Sequence, residues 1–300
     1  MFRPCPSVFR RRRSQGCYRN LVTAPLAGLR FSLAGPGRVG SSLARWAVAA
    51  GAELAAVAGR RPRQAAWPGG PACADLRDLA TAGQDLLLVA VRDEALADAA
   101  RTLTRHSQAR VVLHTSGSQD ASALAPLQAA GSAIGSLHPL KAFPHPLPDP
   151  AEAQGVFFAI DGDAAARELA ARLAAAWGGT AAEVPAAARP LYHFAATLAA
   201  GGVVTLLAAA AEIAGRLGLP PEVARGYLEL ARGAVGSARE TLDAGRPLGS
   251  AITGPAARGD HATLARHLEA LRRLAPEKLP LAEELVREAR RQTGQDPPRD

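Results

Sequence analysis

The clearest pattern in this 300-residue chain is a series of short apolar runs, each followed by apolar positions at helical spacing. Continuous apolar runs of this length are typical of buried parallel strands, and apolar residues three and four positions apart indicate amphipathic helices. The alternation continues to about Val184, which predicts an α/β domain built on a parallel sheet. The expected strands are Leu29–Ala34, Glu53–Ala58, Asp85–Val91, the strand and turn over 111–118, Ala133–His138 and Val156–Ile160.

The pattern changes at Ala186, after which no strand-like alternation returns, so the remainder is predicted to be helical. Twenty-two residues between Arg189 and Glu212 carry no Asp, Glu, Lys or Arg, which raises the question of a membrane span. We favour the buried spine of a helical domain, or a dimer interface, because the segment is rich in alanine and contains Tyr192, His193 and two glycines. Further helices are expected from Pro220-Pro221 to about 244, over 261–274 and over 280–291.

A glycine turn joins the first predicted strand to the first helix. Gly35 permits the tight turn, Gly37 allows a pyrophosphate to approach the backbone, and Gly40 lets the helix lie close to the strand. The helix N-terminus then offers free N–H groups to the phosphates. We therefore predict a Rossmann-type dinucleotide-binding domain, over a glycine turn that only fits a similar shape. The predicted contacts in the turn are Gly35, Pro36, Gly37, Arg38, Val39 and Gly40.

The residues that follow the second predicted strand indicate which of the two nicotinamide cofactors, NAD or NADP, binds. NAD-binding units place a carboxylate there for the ribose 2′-hydroxyl, whereas this chain has Arg60 and Arg61. Guanidinium groups suit bidentate contact with a phosphate, so we predict NADP rather than NAD, with both arginines on the 2′-phosphate. The alternative is a solvated arginine-rich loop. Further cofactor contacts are expected where later strands end, at Val91, Arg92, Thr115 and Ser116.

Charge and cysteine content narrow the possible partners. The net charge of +8 is concentrated in the first thirty residues, which contain seven arginines and no acid. The remaining chain is almost neutral, so we expect no nucleic-acid-binding face. Three widely spaced cysteines fit a reducing cytoplasm and form no metal-binding pattern. Residues 1–27 lack a secretory apolar region and are expected to be a flexible extension or the product of an early start, in preference to an organelle-targeting peptide.

Histidines at predicted strand and helix ends are the main candidates for chemistry. His138 ends a strand and is our first choice for a general acid/base, since imidazole titrates near neutral pH; its alternative role is to order the following loop. His193 is a candidate substrate contact, against an ordinary hydrogen-bonded histidine. Lys141 is the third candidate catalytic residue, for a substrate carboxylate or carbonyl, against a solvated lysine. His114 is expected to be a hydrogen-bonded core residue.

Two further positions are candidate substrate contacts in the helical part. Arg258 could bind an anionic substrate or form a structural pair with Asp260, and Thr253 lies in the same loop. No Gly-x-Ser-x-Gly motif is present, which disfavours a serine hydrolase. We therefore expect a binding site for a small molecule, without a metal.

Several motifs together resemble one family. They are the glycine turn, His114-Thr-Ser-Gly117, Gly135-Ser-Leu-His-Pro-Leu140 with Phe143, Tyr192-His193-x-Ala-Ala, and Thr253-Gly-Pro-x-x-Arg-Gly-Asp260. Over about residues 28–275 the chain resembles Rossmann-like proteins with a DUF2520 C-terminal domain, which are similar to pyrroline-5-carboxylate reductase, prephenate dehydrogenase and coenzyme F420-dependent NADP oxidoreductases. The resemblance implies an NADP-binding sheet domain, an all-α dimerising domain like the C-terminal domain of 6-phosphogluconate dehydrogenase, and an active site between them. One departure is Gly201, where the family pattern suggests asparagine.

The sequence thus predicts an NADP-dependent oxidoreductase acting on a small, carboxylated carbonyl or imine substrate bound between two domains. The alternative is an NADP-binding sensor or scaffold without turnover, which the glycine at position 201 favours. We expect a cytoplasmic homodimer formed through the C-terminal helices, with no membrane segment. The predicted divisions are a disordered extension over 1–27, the Rossmann-like domain over 28–185, the DUF2520-like domain over 186–292 and a tail over 293–300.

Overall fold

The computed structural model describes residues 24–59, 71, 73–145 and 149–295. The chain forms two compact units, the first ending at His193 and the second beginning at Phe194. The arginines predicted to select NADP, Arg60 and Arg61, lie outside the described residues.

A sheet forms the centre of the first unit, with eight strands among the described residues. They are β1 (Arg30–Ala34), β2 (Glu53–Gly59), β3 (Cys73–Asp75), β4 (Leu86–Val89), β5 (Val111–His114), β6 (Ala133–Pro139), β7 (Phe157–Gly162) and β8 (Thr180–Glu183). Their order across the sheet is β3-β2-β1-β4-β5-β6-β7-β8. Strand β1 pairs in parallel with β2 on one side and with β4 on the other. The strand order therefore reverses at β1, and ligands bind beyond the carboxyl ends of strands at such a point.

The predicted α/β architecture is confirmed, with one difference in strand direction. Strands β6 and β7 are antiparallel, while the other neighbouring pairs of this sheet are parallel. The described part of the connection between them, residues 140–145 and 149–156, contains no α-helix, and a parallel pair would need a long crossover connection. The antiparallel step places Asp161 opposite Ser136 and Ala159 opposite His138.

Helices cover both faces of the sheet. In the first unit they are α1 (Arg38–Ala49), α2 (Asp93–Leu103), α3 (Ala125–Ala129), α4 (Ala164–Ala176) and the start of α5 (Arg189–Thr197). One apolar cluster includes α1, α4 and the inward side chains Phe31 and Phe158, and the other includes Leu96 and Leu103 of α2. The alternation of strands and helices in the sequence predicts this arrangement, in which a buried apolar layer lies on each face of the sheet.

The second unit is helical, as predicted. After a π-helical turn over Leu198–Gly202, it contains α6 (Val203–Arg216), α7 (Val223–Asp243), α8 (His261–Leu274) and α9 (Leu279–Thr293). Asp260 caps α8 by accepting a hydrogen bond from the Thr263 N–H at 3.0 Å. Lys278 and Arg216 form ion pairs with Glu212 and Glu277, which link α6 to the start of α9.

The long apolar segment differs from expectation in its burial. Helical structure runs through Ala186–Arg216, which by length and composition alone could cross a membrane, yet its most apolar stretch is not buried in the chain. Leu198 is 56% exposed and Val204 is 65% exposed. The segment is therefore not the buried spine of a single chain, because α6 packs on α7 with one face and leaves another face uncovered.

Candidate active site

Of the three glycines in the turn, Gly37 leaves room for a ligand, whereas Gly35 and Gly40 do not. Gly35 has φ +96°, and a Cβ there would lie 2.6 Å from the Ala90 carbonyl oxygen. A Cβ on Gly40 would lie 2.3 Å from the Gly35 carbonyl oxygen. A Cβ on Gly37, by contrast, would contact nothing within 4 Å. Gly35 and Gly40 thus allow the strand and helix to pack closely, while Gly37 faces open space.

Helix α1 begins directly after this open position. Gly37 is its N-cap residue, provides no side-chain cap, and is followed by a first turn without an acidic residue. The N-terminal N–H groups of such a helix attract an anion. The turn therefore fits the pyrophosphate of a dinucleotide, and in it Arg38 is exposed and Pro36 and Val39 are half-buried.

The other predicted cofactor contacts lie where β4 and β5 end, at the same edge of the sheet. Val91 and Thr115 are half-buried, and the exposed Arg92 forms an ion pair with Glu94 at 3.1 Å. Ser116 is buried, and its Oγ accepts a hydrogen bond from the Gln119 N–H at 3.1 Å. These residues remain predicted cofactor contacts.

The loop after β5 is held in place by buried side chains. His114 Nδ1 accepts from the Ser116 N–H at 3.1 Å, so its Nε2 donates to the Asp120 carbonyl oxygen at 2.9 Å. The prediction that His114 is a hydrogen-bonded core residue is thus confirmed. Ser118 Oγ donates to the Asp93 carboxylate at 2.6 Å, and Gln119 Nε2 donates to the Asp93 carbonyl oxygen at 2.8 Å. The loop therefore has little freedom to move.

Two histidines and a tyrosine meet at the carboxyl end of β6. His138 Nδ1 and Tyr192 Oη are 2.9 Å apart and hydrogen-bonded, with their ring planes perpendicular. The His138 and His193 ring centroids are 6.0 Å apart. A Cβ on Gly117 would lie 2.7 Å from His138 Nε2 and 2.6 Å from His193 Cδ2. Residue 117 must therefore be glycine, because the imidazoles of His138 and His193 occupy the space that its side chain would need.

The pKa values of His138 and Tyr192 in this cluster differ from those of exposed side chains. Burial, together with the charges of His193 and Arg189, lowers the pKa of His138 from 6.5 to about 4. Burial also raises the pKa of Tyr192. At neutral pH His138 is therefore a neutral imidazole and Tyr192 keeps its proton. His138 therefore does not titrate near pH 7 as an ordinary imidazole does, because its ring is mostly withdrawn from water, and its role as a general acid/base stays a prediction.

This lowered pKa predicts a pH-dependent loss of stability. Between pH 6.5 and about 4 the unfolded chain binds a proton that folded His138 does not, so the free energy of unfolding falls as pH falls through that window. The shift corresponds to about 3 kcal/mol, which partial exposure reduces to about 2 kcal/mol. Urea unfolding at pH 7.5 and pH 4.5 should show that His138→Gln loses less stability on acidification than the wild type. Equal losses in both proteins would contradict this assignment.

The remaining candidates lie in other surroundings. Lys141 Nζ forms an ion pair with Glu152 at 3.2 Å, and its side chain is 23% exposed. Thr253 and Arg258 belong to the second unit and are both exposed. His138 and His193 thus lie close together, and their catalytic roles, like those of Lys141, Thr253 and Arg258, stay predictions. Within the described ranges, no group of three His, Cys, Asp or Glu side chains is placed to hold a metal ion.

The sequence interpretation missed Arg189 and Asp161 and gave Tyr192 no role. Arg189 is fully buried and its Nε lies 3.2 Å from Asp161 Oδ2. A signal for Arg189 exists, since it is the last cation before the long uncharged stretch and is three and four residues before Tyr192 and His193. Residues at this spacing share one face of a helix.

Two family profiles match the chain. The Rossmann-like domain matches residues 24–139, and the domain of unknown function DUF2520 matches residues 156–289. Together they span the sheet and nearly all of the helical unit. No curated protein sequence matches the chain.

Solved structures share the fold over most of their length. Protein TM1727 from Thermotoga maritima is 20% identical with a TM-score of 0.68, over 88% of this chain and 98% of that chain. Pyrroline carboxylate reductase from Plasmodium falciparum, with NADP bound, is 13% identical with a TM-score of 0.56, over 89% and 98%. The reductive aminase from Aspergillus terreus, in complex with NADPH and ethyl-5-oxohexanoate, is 19% identical with a TM-score of 0.55, over 87% and 95%. At these identities the likeness establishes the fold alone.

Proposed function

The chain belongs to the proteins that join a Rossmann-like domain to a DUF2520 domain, and from this premise we propose that it is an NADP-dependent oxidoreductase. Its substrate is a small, carboxylated carbonyl or imine compound. The observation that carries the proposal is the hydrogen bond between His138 and Tyr192. It lies at the carboxyl end of β6, at the sheet edge where the glycine turn follows β1.

Cofactor binding is supported by the open space at Gly37 and the uncapped start of α1. NADP is favoured over NAD by Arg60 and Arg61, which replace the carboxylate expected for NAD. NADP or NADPH accompanies the similar reductase and aminase structures described above. Bound NADPH supplies a hydride to the carbon of the substrate's double bond.

The reduction also needs a proton, and residues of the protein supply it. The nitrogen or oxygen of the reduced double bond needs a proton, and Tyr192 carries one at neutral pH, since an ordinary tyrosine titrates near 10 and burial raises the pKa of Tyr192 further. His138 is neutral and hydrogen-bonded to the same hydroxyl, so it orients the tyrosine, and it can relay a proton from Nδ1 to the tyrosine only as its Nε2 takes up another from solvent. His193 lies beside them and is the proposed substrate contact, and Lys141 is the proposed ligand of the carboxylate.

The direct test is NADPH oxidation measured against a panel of 2-oxo acids, with and without amines, and of cyclic imines. Turnover of at least one substrate, lost in His138→Ala and Tyr192→Phe with NADPH affinity unchanged, would support the proposal. NADPH binding without any turnover would instead support the sensor or scaffold. Calorimetry with NADPH and NADH tests cofactor choice, and equal affinities would contradict the role of Arg60 and Arg61.

A pair of glycine substitutions separates the binding role of the turn from its packing role. Gly37→Ala places a methyl group in the open space and should weaken NADPH binding about tenfold, while stability changes by less than about 0.5 kcal/mol. Gly40→Ala forces a contact with the Gly35 carbonyl oxygen and should lower the free energy of unfolding by about 2 kcal/mol. Calorimetric titration and urea unfolding measure the two effects. Unchanged affinity in Gly37→Ala would show that no cofactor lies against this residue.

A further inference from the structure

Arg189 is a fully buried cation with contacts to three neighbouring parts of the sheet. Its Nη1 donates to the Ser116 carbonyl oxygen after β5 at 3.3 Å, and its Nη2 donates to Ser136 Oγ on β6. Its Nε lies 3.2 Å from Asp161 Oδ2 on β7, close enough for an ion pair but not aligned for a hydrogen bond. One planar guanidinium therefore joins the start of α5 to these three places.

The spacing of these residues connects Arg189 to the site. Arg189, Tyr192 and His193 are three and four residues apart, so they lie on one face of α5. Ser136 and His138 are two residues apart on β6, so they lie on one face of the strand. Arg189 meets Ser136, and Tyr192 meets His138. The first contact therefore fixes the register in which the second is made.

Arg189 also acts on His138 through its charge. The groups that change the pKa of His138, besides burial, are His193, Arg189 and His114, which lower it, and Asp93, which raises it. Asp161 offsets the buried charge of Arg189, since its carboxylate favours the charged form of the guanidinium. Arg189 therefore places a positive charge near the His138 imidazole, and Asp161 compensates that charge.

We propose that Arg189, paired with Asp161, is a positioning residue that sets α5 against β6 so that Tyr192 reaches His138. The link to turnover rests on the proposed function, whereas the placement of His138 and Tyr192 does not. A purely structural ion pair is the alternative, and the two differ in what an apolar replacement does. Replacing both members of a buried pair by apolar residues often leaves stability unchanged or raises it.

The decisive variant is the double substitution Arg189→Met/Asp161→Leu, compared with the wild type and with Arg167→Met. Arg167 forms another ion pair in this unit, with Glu183 at 2.8 Å, and is the matched control. We expect the double variant to fold, to lose turnover about tenfold or more at unchanged NADPH affinity, and to raise the pKa of His138 from about 4 towards 6.5 in an NMR titration. The Arg167→Met variant should retain the wild-type pKa and turnover.

The NMR titration keeps the two proposals separate. If the wild type turns over no substrate, Arg189→Lys tests positioning, because it keeps the charge, so that a raised pKa of His138 in this variant reports a displaced imidazole and not a lost cation. A double variant with a His138 pKa near 4 and wild-type turnover would overturn it. If the double variant does not fold, Arg189→Lys decides, because lysine keeps the charge but cannot make all three contacts. Raised His138 pKa and reduced kcat in Arg189→Lys support positioning, and wild-type values of both overturn it.

Discussion

Replacing Gly117 by alanine is expected to reduce turnover at least about 100-fold while NADPH binds as before. The new Cβ would lie 2.7 Å from His138 Nε2 and 2.6 Å from His193 Cδ2, which is closer than such atoms approach. The loop cannot retreat easily, because Ser118 and Gln119 are hydrogen-bonded to Asp93. The imidazoles must therefore move, and displacements of about 1 Å at reacting groups can cost about 100-fold in rate.

Steady-state kinetics with the best substrate of the panel, and calorimetry with NADPH, measure the effect of Gly117→Ala. The control is Gly226→Ala in α7, where a Cβ meets nothing within 4 Å. That change should leave turnover intact and add slightly to stability, since alanine favours a helix over glycine. Wild-type turnover in Gly117→Ala would mean that the two imidazoles can shift without affecting the chemistry, and the site as described would be wrong.

The sequence predicted the fold well because its strongest local signals agree with the global arrangement. Buried parallel strands such as β4 and β5 are continuous apolar runs, and the glycine turn marks the strand that lies at the reversal of the sheet order. The direction of β7 was not predicted, because an apolar run looks the same in either direction. The signal that could have revealed it is the connection between β6 and β7, which has no α-helix in its described residues.

The site was predicted only in part because its chemistry depends on burial and on contacts between distant residues. His138 and Tyr192 are 54 residues apart, and their hydrogen bond exists only once α5 lies over β6. The neutral state of His138 follows from how deeply its ring is withdrawn from water, which no local pattern reports. Arg189 was missed because its burial depends on contacts with Ser116, Ser136 and Asp161, which lie far from it in the sequence.

The uncovered apolar helix predicts that two copies of the chain associate. Leu198, Val204 and Leu206 are exposed on the segment Ala186–Arg216, and Leu230 is 72% exposed on α7. Alanines and the glycine pair on this segment allow another helix to approach closely, which suits a second copy. A lipid surface suits it less, because α7 carries charged side chains such as Arg232 and Glu229 beside its exposed apolar ones. We therefore propose a homodimer formed through the C-terminal helices.

The dimer predicts a large effect of Leu198→Lys/Val204→Lys on assembly. Each apolar side chain buried in an interface contributes about 2 kcal/mol, and twofold symmetry counts each one twice, so the dimer dissociation constant should rise at least about 1000-fold. Sedimentation should find the wild type at twice the mass of one chain, this variant as a monomer, and the control Val48→Lys, an exposed apolar residue of α1, as a dimer. A monomeric wild type would contradict the interface. A wild type recovered only with lipid or detergent would instead assign the helix to a membrane.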